Sequence, residues 1–147
     1  MSIVVAHQPS AIGRLAVQEA AYEAHIRSTS LIVIHVSEAV DVELLERQRK
    51  GLLEEVEDLL KESDLAEVSW TLQVATGPDT AEEILDLLTE EVELLVIGAR
   101  RRSPIGKMIM GSVTQTLVLR AEVPVLVVKA AARKLSKSMT PSRPSVR

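Results

Sequence analysis

The sequence predicts an α/β domain in which parallel strands alternate with helices that cover both faces of the sheet. Five short apolar runs rich in Val, Ile and Leu are separated by segments whose apolar residues recur at helical spacing. The chain has 147 residues, of which 46% are hydrophobic and 26% are charged, and this suits one globular domain with a sizeable core. The alternation implies right-handed crossover connections between parallel strands.

The first half of the chain predicts two strands and two helices. Residues 3–6 and 31–36 are continuous apolar runs, as expected of strands that are buried on both faces. Ser10 stands at the N-cap position of the first helix. Residues 41–63 are charged but carry a stripe of leucines and a valine at helical spacing, and Gly51 is expected to weaken or bend this second helix. The apolar residues of the first helix are Leu15, Val17, Ala20, Ala21 and Ala24.

The second half predicts three strands and two helices. Residues 68–74 alternate between apolar and polar side chains, which is typical of a half-exposed strand at a sheet edge. A turn at residues 77–79 begins a helix that carries Ile84, Leu85, Leu87 and Leu88. Residues 94–97 form the fourth strand, and Gly111 begins the last helix. The fifth strand consists of Val125, Leu126, Val127 and Val128.

Composition excludes several classes of function. The chain has no cysteine, so disulfides, thiolate metal sites and cysteine nucleophiles are excluded. The formal net charge is −4, but the last 17 residues carry five basic residues and no acid, so residues 1–130 carry −9. An acidic body with one Trp and one Tyr does not suit a nucleic-acid binder. Without a basic leader or a long apolar run, we expect no membrane partner and a cytoplasmic protein.

The segment between the fourth strand and the last helix is the most informative part of the sequence. Gly98 ends a buried strand and allows the backbone to approach a ligand closely. The free N–H groups where Gly111 begins a helix suit a phosphate, and Ser112 adds a hydroxyl. The intervening loop raises the positive potential locally through Arg100, Arg101, Arg102 and Lys107.

This segment resembles the universal stress protein family. Nucleotide-binding members carry Gly, two residues, Gly, nine residues, Gly and then Ser or Thr, and Gly98 and Gly111-Ser112 keep that spacing. Residues 93–98 and 123–128 are similar to the fourth and final strands of the family, and His35-Val36 to the end of its second strand. The resemblance covers roughly residues 2–129. It implies a Rossmann-like open sheet of five parallel strands in the order 3-2-1-4-5, of the adenine nucleotide alpha hydrolase type.

Two residues depart from the pattern of the family. Gln8 stands where the family usually has the Asp that contacts adenosine, and its neutral amide cannot form the same charge-assisted bond. Arg101 stands where the family has its second glycine. Its side chain either fills the space of the phosphates or binds a phosphate through its guanidinium.

The resemblance implies a stress-response or signalling module that binds an adenine nucleotide, ATP or AMP, with Mg or Mn accompanying a triphosphate. Its nucleotide-binding residues would be Gln8, Val36, Gly98, Arg101, Gly111 and Ser112. The alternative is a dimeric interaction scaffold of the same fold that binds no nucleotide. No residue constellation supports a chemical step, so we expect no enzyme; a slow ATPase or nucleotidyl-transfer relative is the third hypothesis. His7 is interpreted as a structural histidine. A solvated helix face is the interpretation of four acidic residues, Glu54, Glu55, Glu57 and Asp58.

The ends of the domain give two further predictions. Residues 1–130 are interpreted as the domain, and residues 131–147 as a basic, flexible tail rich in Ser and Pro. In the strand order of the family, the strand from Val125 to Val128 lies at one sheet edge. An apolar edge favours pairing with a second copy, and the family often dimerises this way, so we expect a homodimer.

Overall fold

The computed structural model describes residues 1–99 and 110–129. They contain a sheet of five parallel strands in the order β3-β2-β1-β4-β5, which confirms the predicted fold and strand order. Both edge strands, β3 and β5, pair on one side only within the described residues. The strands are β1 (Ser2–Ala6), β2 (Ser30–Ser37), β3 (Trp70–Thr76), β4 (Val92–Ala99) and β5 (Val125–Lys129).

Within the described part of the chain, four helices cover the sheet, two on each face. The long helices α1 and α2 pack on one face, where small side chains such as Ala16 and Ala20 bring α1 close to the strands. The short helices α3 and α4 pack on the other face, around Ile84 and Leu117. The helices are α1 (Ala11–Ile26), α2 (Val42–Glu62), α3 (Thr80–Leu85) and α4 (Ser112–Arg120).

The alternation of side chains along β1 decides which residues reach the functional end of each face. Ile3 and Val5 belong to the core under α1 and α2, whereas Val4 and Ala6 belong to the core under α3 and α4. His7 follows the strand and continues toward the α1–α2 face. It is buried, with 6% of its surface exposed.

Two predicted boundaries were wrong by a few residues. β3 begins at Trp70 and not at Val68, whose N–H donates instead to the carbonyl of Leu65 in the turn after α2. α3 ends at Leu85, and the N–H of Leu87 donates to the carbonyl of Ile84 in a turn. Both segments are apolar, so the pattern did not separate buried turns from regular elements.

The second helix continues without interruption through Gly51, which is exposed and helical. No helix within residues 1–99 and 110–129 combines the length and the apolar character needed to span a membrane. The predicted basic loop with Arg100, Arg101, Arg102 and Lys107 and the predicted tail of residues 131–147 lie outside the described residues.

Candidate functional site

The strand order reverses between β1 and β4, and a crevice is expected at the carboxyl ends of these two strands. After β1 the chain builds β2 and β3 outward on one side, whereas β4 and β5 lie on the other side of β1. Ligands of open parallel sheets bind at this point, because the two neighbouring crossovers leave in opposite directions. Three predicted site residues reach this end of the sheet: Gln8 just after β1, Val36 near the end of β2 and Gly98 near the end of β4.

The first helix begins directly against the backbone of Gln8. Ser10 is its N-cap, and the Ser10 hydroxyl accepts the N–H of Gly13 at 3.1 Å. A Cβ added to Gly13 would lie 1.8 Å from the carbonyl oxygen of Gln8, so no other residue fits here without a backbone shift. The sequence interpretation missed Gly13, although a glycine in the first turn of a helix is a signal of close approach.

Gly98 has a packing role that the sequence did not reveal. A Cβ at this position would lie 2.9 Å from Cγ1 of Ile12 and 3.2 Å from the Ile12 carbonyl oxygen. The missing side chain therefore lets α1 approach β4, and the space beside Gly98 is taken by the protein itself. Contact between a ligand and the Gly98 backbone stays a prediction.

The start of α4 is held beside Gly98 by a buried hydrogen bond. The hydroxyl of Thr114, which is 3% exposed, donates to the Gly98 carbonyl at 3.3 Å. Gly111 is the N-cap in extended conformation and gives no side-chain capping bond, while Ser112 is exposed. The first N–H groups of α4 have no intrahelical partners, which makes this helix start suited to an anion.

Three polar side chains, from the end of β1, from β2 and from α2, meet beside the crevice. One ring nitrogen of His7, Nε2, lies 2.9 Å from Oε2 of Glu55 in α2, and the other, Nδ1, lies 3.2 Å from Nδ1 of His35 in β2. The His7 side chain is 1% exposed and that of Glu55 is 34% exposed. The structural interpretation of His7 agrees with these contacts, whereas the interpretation of Glu55 as part of a solvated face was wrong.

The environment of His35 disfavours its charged form. Burial lowers the pKa of His35 most, and the charge of His7 lowers it further, while the Glu55 carboxylate acts in the opposite direction. The end of β2 has a second link to the same helix, because the Ser37 hydroxyl bonds to Oε1 of Gln48 at 2.7 Å. The carboxyl end of β2 is thus attached to α2 directly through Ser37 and indirectly through His7.

The structure brings together five of the six predicted nucleotide-binding residues at one end of the sheet and the adjoining start of α4. These are Gln8, Val36, Gly98, Gly111 and Ser112, while Arg101 lies outside the described residues. Within residues 1–99 and 110–129, no three His, Cys, Asp or Glu side chains are grouped so that they could hold a metal ion. The arrangement offers backbone donors and small residues for binding.

Comparisons with a family model and with a curated protein sequence both find universal stress proteins. The model of the Universal stress protein family matches residues 1–129. A universal stress protein of Mycolicibacterium smegmatis (strain ATCC 700084 / mc(2)155) is 40% identical over 129 residues, which cover 86% of this chain and 96% of that protein.

Solved structures of the same fold agree. A universal stress protein from Archaeoglobus fulgidus superimposes with a TM-score of 0.72 at 27% identity, covering 88% of this chain and 98% of the other. The universal stress protein from Archaeoglobus fulgidus in complex with dAMP superimposes with a TM-score of 0.68 at 23% identity, covering the same shares of the two chains. A universal stress protein in complex with cAMP superimposes with a TM-score of 0.67 at 20% identity, covering 88% of this chain and 96% of the other. On the family match and the 40% identical relative, this chain belongs to the universal stress protein family.

Proposed function

We propose that this protein binds an adenine nucleotide, ATP or AMP, in the crevice at the carboxyl ends of β1 and β4, and serves as a stress-response or signalling module. The observation that supports this most strongly is the start of α4. Thr114 holds it beside Gly98, and its N-cap, Gly111, provides no side-chain cap of its own. Phosphate oxygens would satisfy these N–H groups and the partial positive charge of the helix start.

The two ends of the crevice suggest how the ligand lies. Val36 and Gln8 would contact the adenosine part, and Gly98, Arg101, Gly111 and Ser112 would surround the phosphates. Two proteins of this fold, solved in complex with dAMP and with cAMP, support an adenine ligand. The described residues offer no group of three ligands for Mg or Mn, so an accompanying ion would depend on the ligand's phosphates.

The phosphate assignment is tested by Gly111→Val. The backbone of Gly111, with φ −68° and ψ 162°, is open to any residue, so the variant should fold. Its branched side chain would cover the first N–H groups of α4 and should abolish binding in calorimetric titrations with ATP and AMP. Gly51→Val, on the exposed face of α2, is the matched control and should bind as the wild type does. Equal affinity in Gly111→Val and the wild type would end the assignment.

The role of Arg101 is tested separately. If its side chain fills the phosphate space, Arg101→Gly should tighten ATP binding. If the guanidinium binds phosphate, the same change should weaken binding by about 1.5–3 kcal/mol, the typical value of a hydrogen bond to a charged group. Unchanged affinity would contradict both interpretations.

Mass spectrometry of the small molecules that copurify with the protein separates the three functional hypotheses. A bound adenine nucleotide supports the binding module, and we propose that this module is cytoplasmic and not an enzyme. A protein that stays empty and gives no heat with ATP or AMP would favour the dimeric scaffold. Product accumulating from added ATP would favour the slow ATPase.

We also propose that the protein is a homodimer paired through the edge of β5. Within the described residues β5 pairs only with β4, and Val125, Leu126 and Val127 are only partly buried. α4 also exposes two apolar side chains, Val118 and Leu119, the latter at 75%. We expect the strand edge to be the surface that a second copy covers.

Val125→Lys tests this interface. Sedimentation of the wild type should give about twice the 16.1 kDa chain mass, and the variant should shift toward one chain mass with its helical circular dichroism retained. Thr71→Lys, an exposed position on the opposite edge strand β3, is the matched control and should stay dimeric. A wild type that sediments as a monomer at tens of micromolar would contradict the proposal.

A further inference from the structure

The contacts among His7, His35 and Glu55, here called the histidine–glutamate cluster, join two imidazole rings to one carboxylate. The cluster lies under the crevice and not in the phosphate site. His7 immediately precedes Gln8, and His35 immediately precedes Val36, so two of its three members adjoin residues of the proposed adenosine end. The third member is Glu55, which belongs to α2.

The geometry allows only one of the facing ring nitrogens to carry a proton. Nδ1 of His7 and Nδ1 of His35 are 3.2 Å apart, and a hydrogen bond between them needs one donor and one acceptor. The other nitrogen of His7, Nε2, faces the Glu55 carboxylate at 2.9 Å and is therefore a donor. One positive charge in the pair is compatible with the contacts, because Glu55 balances it.

A second proton would disrupt the cluster. Two imidazolium rings would then present N–H groups to each other at hydrogen-bond distance in a largely buried place, and the single carboxylate could balance only one of them. The titratable groups that act on His35 are His7, just after β1, and Glu55 from α2; the residue paired with it on β3 is the apolar Val74. A displacement of α2, which packs on this face of the sheet, would let water reach both rings and solvate the second charge.

We propose that the histidine–glutamate cluster is an acid-sensitive contact that holds α2 against the ends of β1 and β2 at neutral pH, loosens when both histidines are protonated, and so lowers nucleotide affinity. The coupling to the ligand rests on the proposed function, whereas the loosening of α2 does not. The Ser37–Gln48 bond contains no titratable group and keeps β2 attached to α2 at every pH.

The direction of the pH effect follows from His35. Burial lowers its pKa in the folded state below the ordinary value of about 6.5, so below that pH the unfolded chain binds a proton that the folded chain does not. The stabilisation is therefore complete above about pH 6.5 and is lost as the pH falls from there through the lowered pKa. Carboxylates titrate at lower pH, so the range from 7.5 to 5.5 isolates the histidines.

The first experiment uses the full chain without ligand. Amide hydrogen exchange, expressed as protection factors, is measured for α2 and α4 at pH 7.5, 6.5 and 5.5. Protection in α2 should fall by up to about tenfold per pH unit in the acid range, while α4 changes less. His35→Gln removes the titrating ring and should abolish this dependence. His25→Gln removes the exposed third histidine of the chain and should keep it.

Glu55→Gln gives a readout that a merely structural role would not move. The Glu55 charge raises the pKa of His35, so its removal should extend the loss of α2 protection to lower pH and make the fall between pH 7.5 and 5.5 larger than in the wild type, while Gln can still accept the His7 N–H. This variant also keeps the proposal testable if His35→Gln does not fold. Equal α2 protection at pH 7.5 and 5.5 in the wild type, or a fall in Glu55→Gln that is no larger than in the wild type, would overturn the proposal.

The second experiment titrates ATP and AMP calorimetrically at pH 7.5 and 5.5. The affinity of the wild type and of His25→Gln should fall more on acidification than that of His35→Gln, and the titration of the phosphate itself is common to all three. An equal fall in all three would overturn the coupling. Absence of nucleotide binding at both pH values would refute the proposed function, while the exchange experiment would still decide whether the cluster responds to acid.

Discussion

The two sides of the crevice are built from different kinds of contact. On the β1–β2 side, polar side chains are engaged with one another, as in the contacts of His7 with His35 and Glu55. On the β4–α4 side, the described residues Gly98, Gly111 and Ser112 are small, and the helix start at Gly111 has no side-chain cap. The first side is stabilised by contacts between its own side chains, whereas the second has backbone N–H groups without a side-chain cap.

This difference between the two sides predicts where a substitution should affect folding and where it should affect binding. α1 joins the two sides, because Gly13 packs on Gln8 and Ile12 packs on Gly98. Substitutions at these close approaches should destabilise the fold. Substitutions at the start of α4 should leave the fold intact and change ligand affinity.

The largest expected effect is that of Gly13→Ala. The new Cβ would overlap the Gln8 carbonyl oxygen, and α1 would have to move away from the β1 loop. We expect a loss of about 3 kcal/mol or more in the free energy of unfolding, measured by urea denaturation. A variant as stable as the wild type would contradict the close contact between α1 and the Gln8 backbone.

Gly98→Ala should have the next largest effect, a loss of about 1–3 kcal/mol, because its Cβ meets Ile12. Combining it with Ile12→Ala removes the nearest atom, so the double variant should lose less stability than the sum of the two single variants. Strict additivity in urea denaturation would contradict the contact between Gly98 and Ile12.

Thr114→Val should have a smaller effect, a loss of about 1 kcal/mol. The change keeps the shape of the side chain but removes the buried hydroxyl that bonds to the Gly98 carbonyl. Thr116→Val, two residues along the same helix at a half-buried position, is the control for the change in propensity. Equal stability of the two variants would show that the hydrogen bond from Thr114 to the Gly98 carbonyl does not stabilise the fold.

The smallest effect, with the opposite sign, is expected for Gly51→Ala. Gly51 is helical and exposed, and a Cβ there would meet nothing within 4 Å. The variant should gain about 0.5–1 kcal/mol in the free energy of unfolding, because alanine loses less backbone entropy in a helix. Gly51→Ala is also the control for Gly13→Ala. If both variants were destabilised, the loss in Gly13→Ala could not be assigned to the close approach between Gly13 and Gln8.

The candidate site was predictable where one stretch of sequence carries the pattern. The spacing from Gly98 to Gly111-Ser112 located the end of β4 and the start of α4, and the structure places both at the same end of the sheet. The pairing of His7 with Glu55, 48 residues later, was not predictable, because hydrophobic spacing shows which face of a helix is apolar and not which polar residue faces a strand.

The sequence by itself determined the order of the elements, because continuous apolar runs and helical stripes are local properties of the chain. Its alternation at residues 68–74 also predicted a half-exposed edge strand, and the structure confirms an edge strand at Trp70–Thr76. Only the tertiary structure decided which elements touch. Gly13 lies against Gln8, Gly98 against Ile12 and Glu55 against His7 because crossovers and strand register bring distant residues together, and no local period encodes that register.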